Sequence, residues 1–170
     1  MKTYIRKHFR NRNSSIIIPM FLLLLLFSSC KGGSQSQSNP SDSEGEISFQ
    51  THAKGSHSNY DQKTEMIITS TSELEKVFAK INSNRQPEKT VLDIDFSERT
   101  VVFITAGQLS TGGFTVEVER IEDTESERVI YVGGTSPKPG ENVTMALTSP
   151  FTMISFEKTE LPIRFEYKRK

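Results

Sequence analysis

The chain has 170 residues, which suits one domain rather than two, because single domains usually run to roughly 100 to 200 residues. Residues 1–29 hold five of the 21 basic residues and none of the 21 acidic ones, so 16 basic and 21 acidic residues remain after that segment. This mildly acidic remainder argues against a nucleic-acid-binding protein, because phosphate binding needs a basic surface. The single cysteine excludes an internal disulfide framework and a cysteine-based zinc cluster.

The first residues have the pattern of an export signal. A basic segment is followed by an apolar run over residues 16–27 and then by Ser-Ser-Cys, which ends at Cys30. This is the order of n-region, h-region and small-residue cleavage site in a secretory signal peptide. The run is too short for a membrane span of about 20 residues and is interrupted by Pro19. We therefore expect residues 1–29 to be a signal peptide.

Residues 26–30, Leu-Phe-Ser-Ser-Cys, resemble the lipobox of bacterial lipoproteins, in which the cysteine is diacylated and becomes the new N-terminus. The resemblance implies lipidation of Cys30; the alternative is a spare buried thiol. Acyl chains contribute about 0.8 kcal/mol for each buried methylene, so they hold a soluble domain at a bilayer. We expect a lipid anchor in the bacterial cell envelope, at the outer membrane. Whether the protein faces the periplasm or the cell surface stays open.

Beyond the cysteine, a tether is followed by one domain. Residues 30–46 contain no large apolar residue and are rich in serine and glycine, which predicts a flexible tether. Residues 47–170 are expected to form a single β-rich domain. Within it, residues 52–61 are predicted to be a turn-rich loop, because glycine, asparagine and aspartate interrupt the segment.

One helix is predicted, after a short strand at residues 66–68. Its apolar residues recur at the i, i+3, i+4 and i+7 positions of an amphipathic helix: Leu74, Val77, Phe78 and Ile81. Ser72 and Glu75 have the spacing of a capping box. The pattern therefore predicts a helix over about residues 72–82.

The rest of the chain is predicted to be strands separated by glycine and proline. The apolar, β-branched or alternating segments are residues 91–96, 101–105, 114–118, 129–132, 143–147, 151–156 and 163–167. Many short strands and one early helix predict an α+β fold, mainly β: a small antiparallel β-sandwich or roll with one packed helix. A βαβ nucleotide-binding fold is not expected.

Enzyme motifs are not found, since GxSxG, GxGxxG, P-loop and HExxH patterns do not occur. Ser56, His57 and Asp61 include triad residue types, but they crowd one loop, whereas triads are assembled from separate elements. Residues 155–158 match S-x-x-K without its companion motifs and are interpreted as the end of a strand. We expect no catalytic residue and no enzyme activity.

Acidic side chains offer the only candidates for metal binding. Asp93 and Asp95 would share a face of an extended segment, but no further ligand accompanies them, which favours a solvated strand face. The acidic residues of 117–127 lack the spacing of an EF-hand loop and are interpreted as a charged hairpin that discourages aggregation. No metal and no cofactor are expected.

Two loops rich in glycine and proline are the candidate partner-binding site. Their residues are Thr111, Gly112, Gly113 and Phe114 in the first loop and Pro137, Pro139 and Gly140 in the second. The functional interpretation is a rigid surface for another protein, because prolines lower the entropy lost on binding. The alternative is that both loops are ordinary hairpin connections.

Four motifs then occur in a characteristic order. They are Asp-Phe at 95–96 before a Val-Val strand, Thr-Gly-Gly-Phe at 111–114, Ser-Pro-Lys-Pro-Gly at 136–140 and Ala-Leu-Thr-Ser-Pro-Phe at 146–151. This order closely resembles the C-terminal domain of the PrcB family over about residues 64–167. PrcB proteins are lipoproteins regarded as accessory subunits that stabilise a secreted subtilisin-type protease complex.

The resemblance implies a non-catalytic, lipid-anchored accessory protein that binds and stabilises a partner in the cell envelope, with a protease complex as the expected partner. Phe114 and Phe151 stand where tyrosine is common in the family. Three alternatives stay open: a protease inhibitor of the chagasin type, which the TGG-aromatic loop also resembles, a small-ligand-binding envelope lipoprotein, and a hydrolase whose site is not recognisable.

Overall fold

A computed structural model describes residues 45–168. The predicted signal peptide, Cys30 and nearly all of the tether lie outside the described residues, so the predicted boundaries at residues 29 and 46 stay predictions. All described residues belong to one compact unit. Within this part of the chain, no helix is long and apolar enough to cross a membrane.

The described residues form one helix and seven strands. In chain order these are β1 (Phe49–Gly55), β2 (Thr64–Ile68), α1 (Thr71–Asn82), β3 (Arg99–Thr105), β4 (Glu117–Asp123), β5 (Arg128–Gly133), β6 (Phe151–Glu157) and β7 (Ile163–Tyr167). The first sheet has the order β1-β6-β3-β2, and the second has the order β4-β5-β7. The predicted α+β, mainly β fold with one packed helix is confirmed.

The second sheet is mixed, whereas the prediction was antiparallel throughout. β4 and β5 form an antiparallel hairpin, but β5 and β7 run parallel. Parallel neighbours need a long crossover connection, and here the chain leaves the second sheet after β5 and returns to it only after β6. No crossover of this kind is visible in the local patterns of the sequence.

Two cores lie on opposite faces of the first sheet. α1 packs on one face, where Val101, Phe103 and Met153 belong to the first core. The second sheet packs on the other face, where Val102 and Ile154 belong to the second core. Successive residues of a strand point to opposite faces, so β3 and β6 supply both cores and are buried along almost their whole length.

The helix is stabilised by its apolar stripe. Leu74, Val77, Phe78 and Ile81 are all buried, as the helical spacing predicted. α1 begins at Thr71, within one residue of the predicted start.

The capping box lies two residues before the predicted position. Ser70 has extended backbone angles, φ −145° and ψ 153°, and its side chain accepts a hydrogen bond from the Glu73 N–H. Glu73 Oε2 in turn accepts from the Thr69 N–H at 2.9 Å. Ser72 is already inside the helix, so it cannot be the N-cap residue.

The predicted strand over residues 91–96 is wrong, although its apolar residues do reach the core. Leu92, Ile94 and Phe96 are partly buried against the first core without forming a strand. The Asp95 carbonyl accepts hydrogen bonds from the N–H groups of Glu98 at 3.2 Å and Arg99 at 2.9 Å, which forms a turn that leads into β3. An alternating apolar pattern is satisfied equally well by an irregular segment that covers a core.

Two other strand predictions also differ from the structure. Residues 143–147 are not a strand, and the strand predicted to start at residue 114 begins at Glu117. β1, conversely, extends into the segment predicted as a turn-rich loop. A bulge between Thr51 and Ala53 leaves His52 as an extra residue, and this interruption hides the strand alternation.

Phe78→Ala should lower the free energy of unfolding by about 3 to 5 kcal/mol, because it leaves a cavity where a ring is 2% exposed in the first core. Chemical denaturation followed by circular dichroism measures the change. Lys76→Ala, on the exposed face of the same helix, is the matched control and should change stability by at most about 0.5 kcal/mol. An unchanged midpoint for Phe78→Ala would show that α1 is not packed on the sheet.

Candidate functional site

The two loops chosen from the sequence lie side by side. Gly113 has a left-handed φ of +88°, and a Cβ atom added there would lie 2.8 Å from Pro137 Cγ. Only glycine fits this position without a shift of the second loop. Thr115 and Thr135 join the loops further: the Thr115 N–H donates to the Thr135 carbonyl at 3.1 Å, and the Thr135 N–H donates to Thr115 Oγ1 at 2.8 Å.

A third segment, residues 143–147, flanks the first loop. The Gly112 N–H donates to the Thr144 carbonyl at 2.9 Å, and Thr148 Oγ1 donates to the Thr111 carbonyl at 2.8 Å. We call residues 111–114, 136–140 and 143–147 together the loop surface. Its three segments are connected by hydrogen bonds of the backbone and therefore form one continuous surface.

The tip of the second loop is a tight turn. Pro139 and Gly140 are its central residues, and Gly140 has a φ of +80°. Proline followed by a glycine of positive φ is typical of a type II turn. Two hydrogen bonds between Lys138 and Glu141 close the turn. The Glu141 N–H donates to the Lys138 carbonyl at 3.0 Å, and the Lys138 N–H donates to Glu141 Oε2 at 2.8 Å. The tip is exposed and pre-organised by its own bonds.

Two large apolar side chains of the loop surface are exposed to solvent. Met145 is 84% exposed and Leu147 is 62% exposed. The sequence pattern did not identify them as surface residues, because their alternation with small and polar residues predicted a strand. Their position between two proline-containing motifs was the available signal for a loop.

Phe114 is half-buried, and so it differs from the exposed residues of the loop surface. It lies between two clefts, one of about 540 Å³ and one of about 250 Å³, and it lines both. The neighbouring Val116 is buried in the second core. Phe114 is therefore anchored on the body of the domain and forms the boundary between the loop surface and the larger cleft.

The triad residue types of the 56–61 loop are not arranged as a triad. Ser56 Oγ lies 2.8 Å from Nδ1 of the adjacent His57, and both side chains are exposed. His57 and Asp61 line the same polar cleft of about 310 Å³, but within residues 45–168 no hydrogen bond joins them. A triad needs the carboxylate to orient the imidazole.

Ser155 of the S-x-x-K match lies inside β6, fully buried. Its hydroxyl lies 2.7 Å from His52 Nε2 and accepts a hydrogen bond from Arg99 Nε at 2.9 Å. Burial and, secondarily, the positive charge of Arg99 lower the pKa of His52. This fits an arrangement in which the Ser155 hydroxyl donates to a neutral imidazole. The contacts of His52, Ser155 and Arg99 connect β1, β6 and β3. The Ser155 hydroxyl is buried and therefore not accessible to a substrate.

Asp95 and the acidic hairpin have structural roles. Asp95 Oδ1 accepts from the Ser97 N–H at 2.9 Å and from its hydroxyl at 2.6 Å, which lowers the pKa of the Asp95 carboxyl. Residues 117–127 do form a charged hairpin, as predicted, and Asp123 binds Arg128 through both carboxylate oxygens. Among the described residues, no group of three or more His, Cys, Asp or Glu side chains could hold a metal ion.

The geometry defines a small β-sandwich with one packed helix and a pre-organised loop surface at one end. Residues 100–157 match the family model described as PrcB C-terminal, an interval shorter than the predicted 64–167. The match begins in β3, ends in β6 and contains the whole loop surface. No curated protein and no solved structure matches the chain. The family match confirms the resemblance to the PrcB C-terminal domain over residues 100–157.

The His52 network should make stability depend on pH. Because the pKa of His52 is lowered in the folded state, the unfolded chain binds the proton first as pH falls. The contribution is complete above the ordinary histidine pKa of about 6.5 and is lost progressively below it. The melting midpoint should therefore fall between about pH 7.5 and about pH 5, and His52→Gln should reduce that fall.

His57→Gln is the matched control for this experiment, because His57 is exposed and bonded to its own neighbour. It should keep the pH dependence of the unsubstituted protein. Equal slopes for His52→Gln and the unsubstituted protein would contradict the role given to His52.

Proposed function

We propose that the chain is a lipid-anchored extracytoplasmic accessory protein that binds and stabilises a partner through the loop surface. The expected partner is a secreted subtilisin-type protease complex, in keeping with the PrcB match over residues 100–157. The observation that carries the proposal is the loop surface itself, where exposed Met145 and Leu147 lie beside a pre-organised proline turn.

Exposure of large apolar side chains to water is unfavourable in free energy, and binding of a partner would remove that exposure. Met145 and Leu147 lie two positions apart on one segment, and burial against a partner would withdraw both from water. Met is enriched in the buried centres of protein interfaces, where it adapts to the partner's shape. The two side chains are therefore the proposed apolar anchors.

Pre-organisation supports the same proposal. The turn at Pro139 and Gly140 is closed by two hydrogen bonds, and Gly112 is bonded to the third segment. Binding loses free energy when loops must be ordered, and a surface already fixed in shape avoids most of that loss. An ordinary hairpin connection needs neither the close contact of Gly113 with Pro137 nor exposed apolar residues beside it.

The anchor is proposed from the lipobox resemblance at Cys30. Residues 31–44 separate this cysteine from the first described residue. A lipidated cysteine would hold the domain at the membrane and confine it to the same surface as an envelope partner, which raises the local concentration of one for the other.

Met145→Ala combined with Leu147→Ala should weaken capture of the partner about thirtyfold, which corresponds to about 2 kcal/mol for loss of a central apolar anchor. The readout is co-purification of a subtilisin-type protease subunit with the tagged full chain from the envelope of the source cells. Folding should be unchanged, because both side chains are largely exposed.

Ile67→Ala is the matched control, since Ile67 is also an exposed apolar residue, 43% exposed, but lies on β2 outside the loop surface. It should leave capture unchanged. Gly112→Asp is a second test, because a Cβ there meets only Thr144 at an ordinary contact distance of 3.5 Å. Full capture by variants that melt normally would contradict the proposed surface.

Cys30→Ala should abolish incorporation of labelled palmitate and leave uncleaved precursor, because the acylated thiol is removed. Ser29→Ala keeps a small residue before the cysteine and should be labelled and processed normally. Palmitate labelling that persists in Cys30→Ala would contradict the anchor without affecting the proposal for the loop surface.

A further inference from the structure

The cleft of about 540 Å³ lies between the two sheets, at the end of the sandwich where Phe114 lies. Its volume falls in the range of about 300 to 1,000 Å³ that is usual for small-molecule sites. β3 and β5 end at this cleft, and β7 forms its far side. No residue chosen from the sequence except Phe114 takes part in it.

The wall of the cleft is mostly apolar. Its apolar side chains are those of Ile104, Ala106, Leu109, Phe114, Val116 and Val132. Ile104, Val116 and Val132 are also members of the second core. The cleft is thus an open continuation of the hydrophobic core between the sheets, and an aliphatic group placed there would be packed on core side chains.

The charged residues that line the cleft are both lysines, Lys63 and Lys168, and no Asp or Glu is among the lining residues. Their acidic partners lie outside the cleft. Lys63 Nζ is 3.1 Å from Glu65 Oε1, and Lys168 Nζ is 3.5 Å from Glu119 Oε1. Both lysines are more than half exposed, so their ammonium groups lie at the rim while the apolar residues lie deeper.

Tyr167 completes the wall without adding charge. Its hydroxyl donates to Glu65 Oε1 at 2.5 Å, and Lys63 Nζ lies 3.3 Å from its ring centroid. Burial and the neighbouring Glu65 raise the pKa of Tyr167 well above its usual value, so the phenol stays neutral. The hydrogen bond also holds the last residue of β7 against β2 and keeps this side of the cleft in place.

We propose that this cleft binds an amphipathic monoanion of the fatty-acid class. The aliphatic chain occupies the apolar part, and the carboxylate lies at the rim with Lys63 and Lys168. The carboxylate would share the two ammonium groups with Glu65 and Glu119, which already bind them at the exposed rim. A neutral or cationic ligand of the same length would gain no charge-assisted contact from the lysines. The inference does not rest on the proposed function: of the loop surface, the cleft wall includes Phe114 alone, and it uses neither Met145, Leu147 nor the proline turn.

The test uses the full chain in membranes from cells that express it. A diazirine analogue of dodecanoate is photo-crosslinked to the protein, and the labelled peptides are located by mass spectrometry. Label is expected in residues 104–116 and 132–135, on the cleft wall. An excess of dodecanoate should remove this label, whereas the same excess of dodecyltrimethylammonium should not.

Three variants distinguish labelling in the cleft from nonspecific labelling in the membrane. Ala106→Phe places a ring on the apolar wall of the cleft and should reduce the label at least about fivefold, because the ring competes with the aliphatic chain for that wall. Lys63→Gln with Lys168→Gln removes both charges and should reduce dodecanoate labelling by a similar factor while labelling by a diazirine analogue of dodecanol is unchanged. Lys76→Gln, on α1 across the first sheet, is the matched control and should be labelled like the unsubstituted chain.

Label located on α1 or on the β4–β5 turn instead of the cleft wall would overturn the proposal. So would equal competition by the cationic amphiphile. Should Ala106→Phe fail to fold, the double lysine variant alone tests the proposal, because both lysine side chains are exposed at the rim and their replacement should not affect folding. Undiminished dodecanoate labelling of that variant would overturn the carboxylate assignment.

Discussion

The β3–β6 pair is the interaction on which the rest of the domain depends. The two strands pair antiparallel without a break from Arg99 opposite Glu157 to Thr105 opposite Phe151. Their alternate side chains fill two separate cores, one under α1 and one under the second sheet. A slip of one residue in either strand would exchange the two sets of side chains, so the two cores together specify the register.

This pairing also explains why the candidate site is where it is. The chain leaves β3 at Thr105 and enters β6 at Phe151, and these residues are paired neighbours at one end of the first sheet. Every segment of the loop surface belongs to the stretch between them, and the β4–β5 hairpin is inserted in that stretch. The family match from 100 to 157 therefore corresponds to the two central strands and the chain between them.

The opposite end of the sandwich is closed by polar contacts that the sequence did not reveal. Arg128, whose side chain is 6% exposed, binds Asp123 through two hydrogen bonds and donates to the Glu157 carbonyl at 2.7 Å. It therefore joins the second sheet to β6 of the first. Loss of Asp123 would leave the buried Arg128 charge without its carboxylate partner, which is strongly unfavourable. One end is thus fastened by an ion pair, whereas the other opens into the apolar cleft.

Features set by neighbours in the chain were predictable, and features set by distant contacts were not. α1, β6 and β7 were found within about one residue because their patterns are uninterrupted. The irregular segment at Leu92–Phe96 has the same alternation as a strand, and only the missing partner strand distinguishes it. The two loops were selected for composition alone. Their contact at Gly113 and Pro137, and the exposed side chain of Met145 beside them, depend on chain segments far apart in sequence.

Phe114 connects the two proposed sites, because it belongs to the loop surface and also lines the cleft between the sheets. The preceding Gly113 is held in its left-handed conformation against Pro137, so the backbone that carries Phe114 has little freedom to move. A ligand in the cleft would contact the ring directly, whereas a partner on the loop surface would contact the backbone that positions it. Any coupling between the two must then act equally in both directions, since linked binding free energies are reciprocal. The cleft between the sheets and the loop surface thus share the side chain of Phe114.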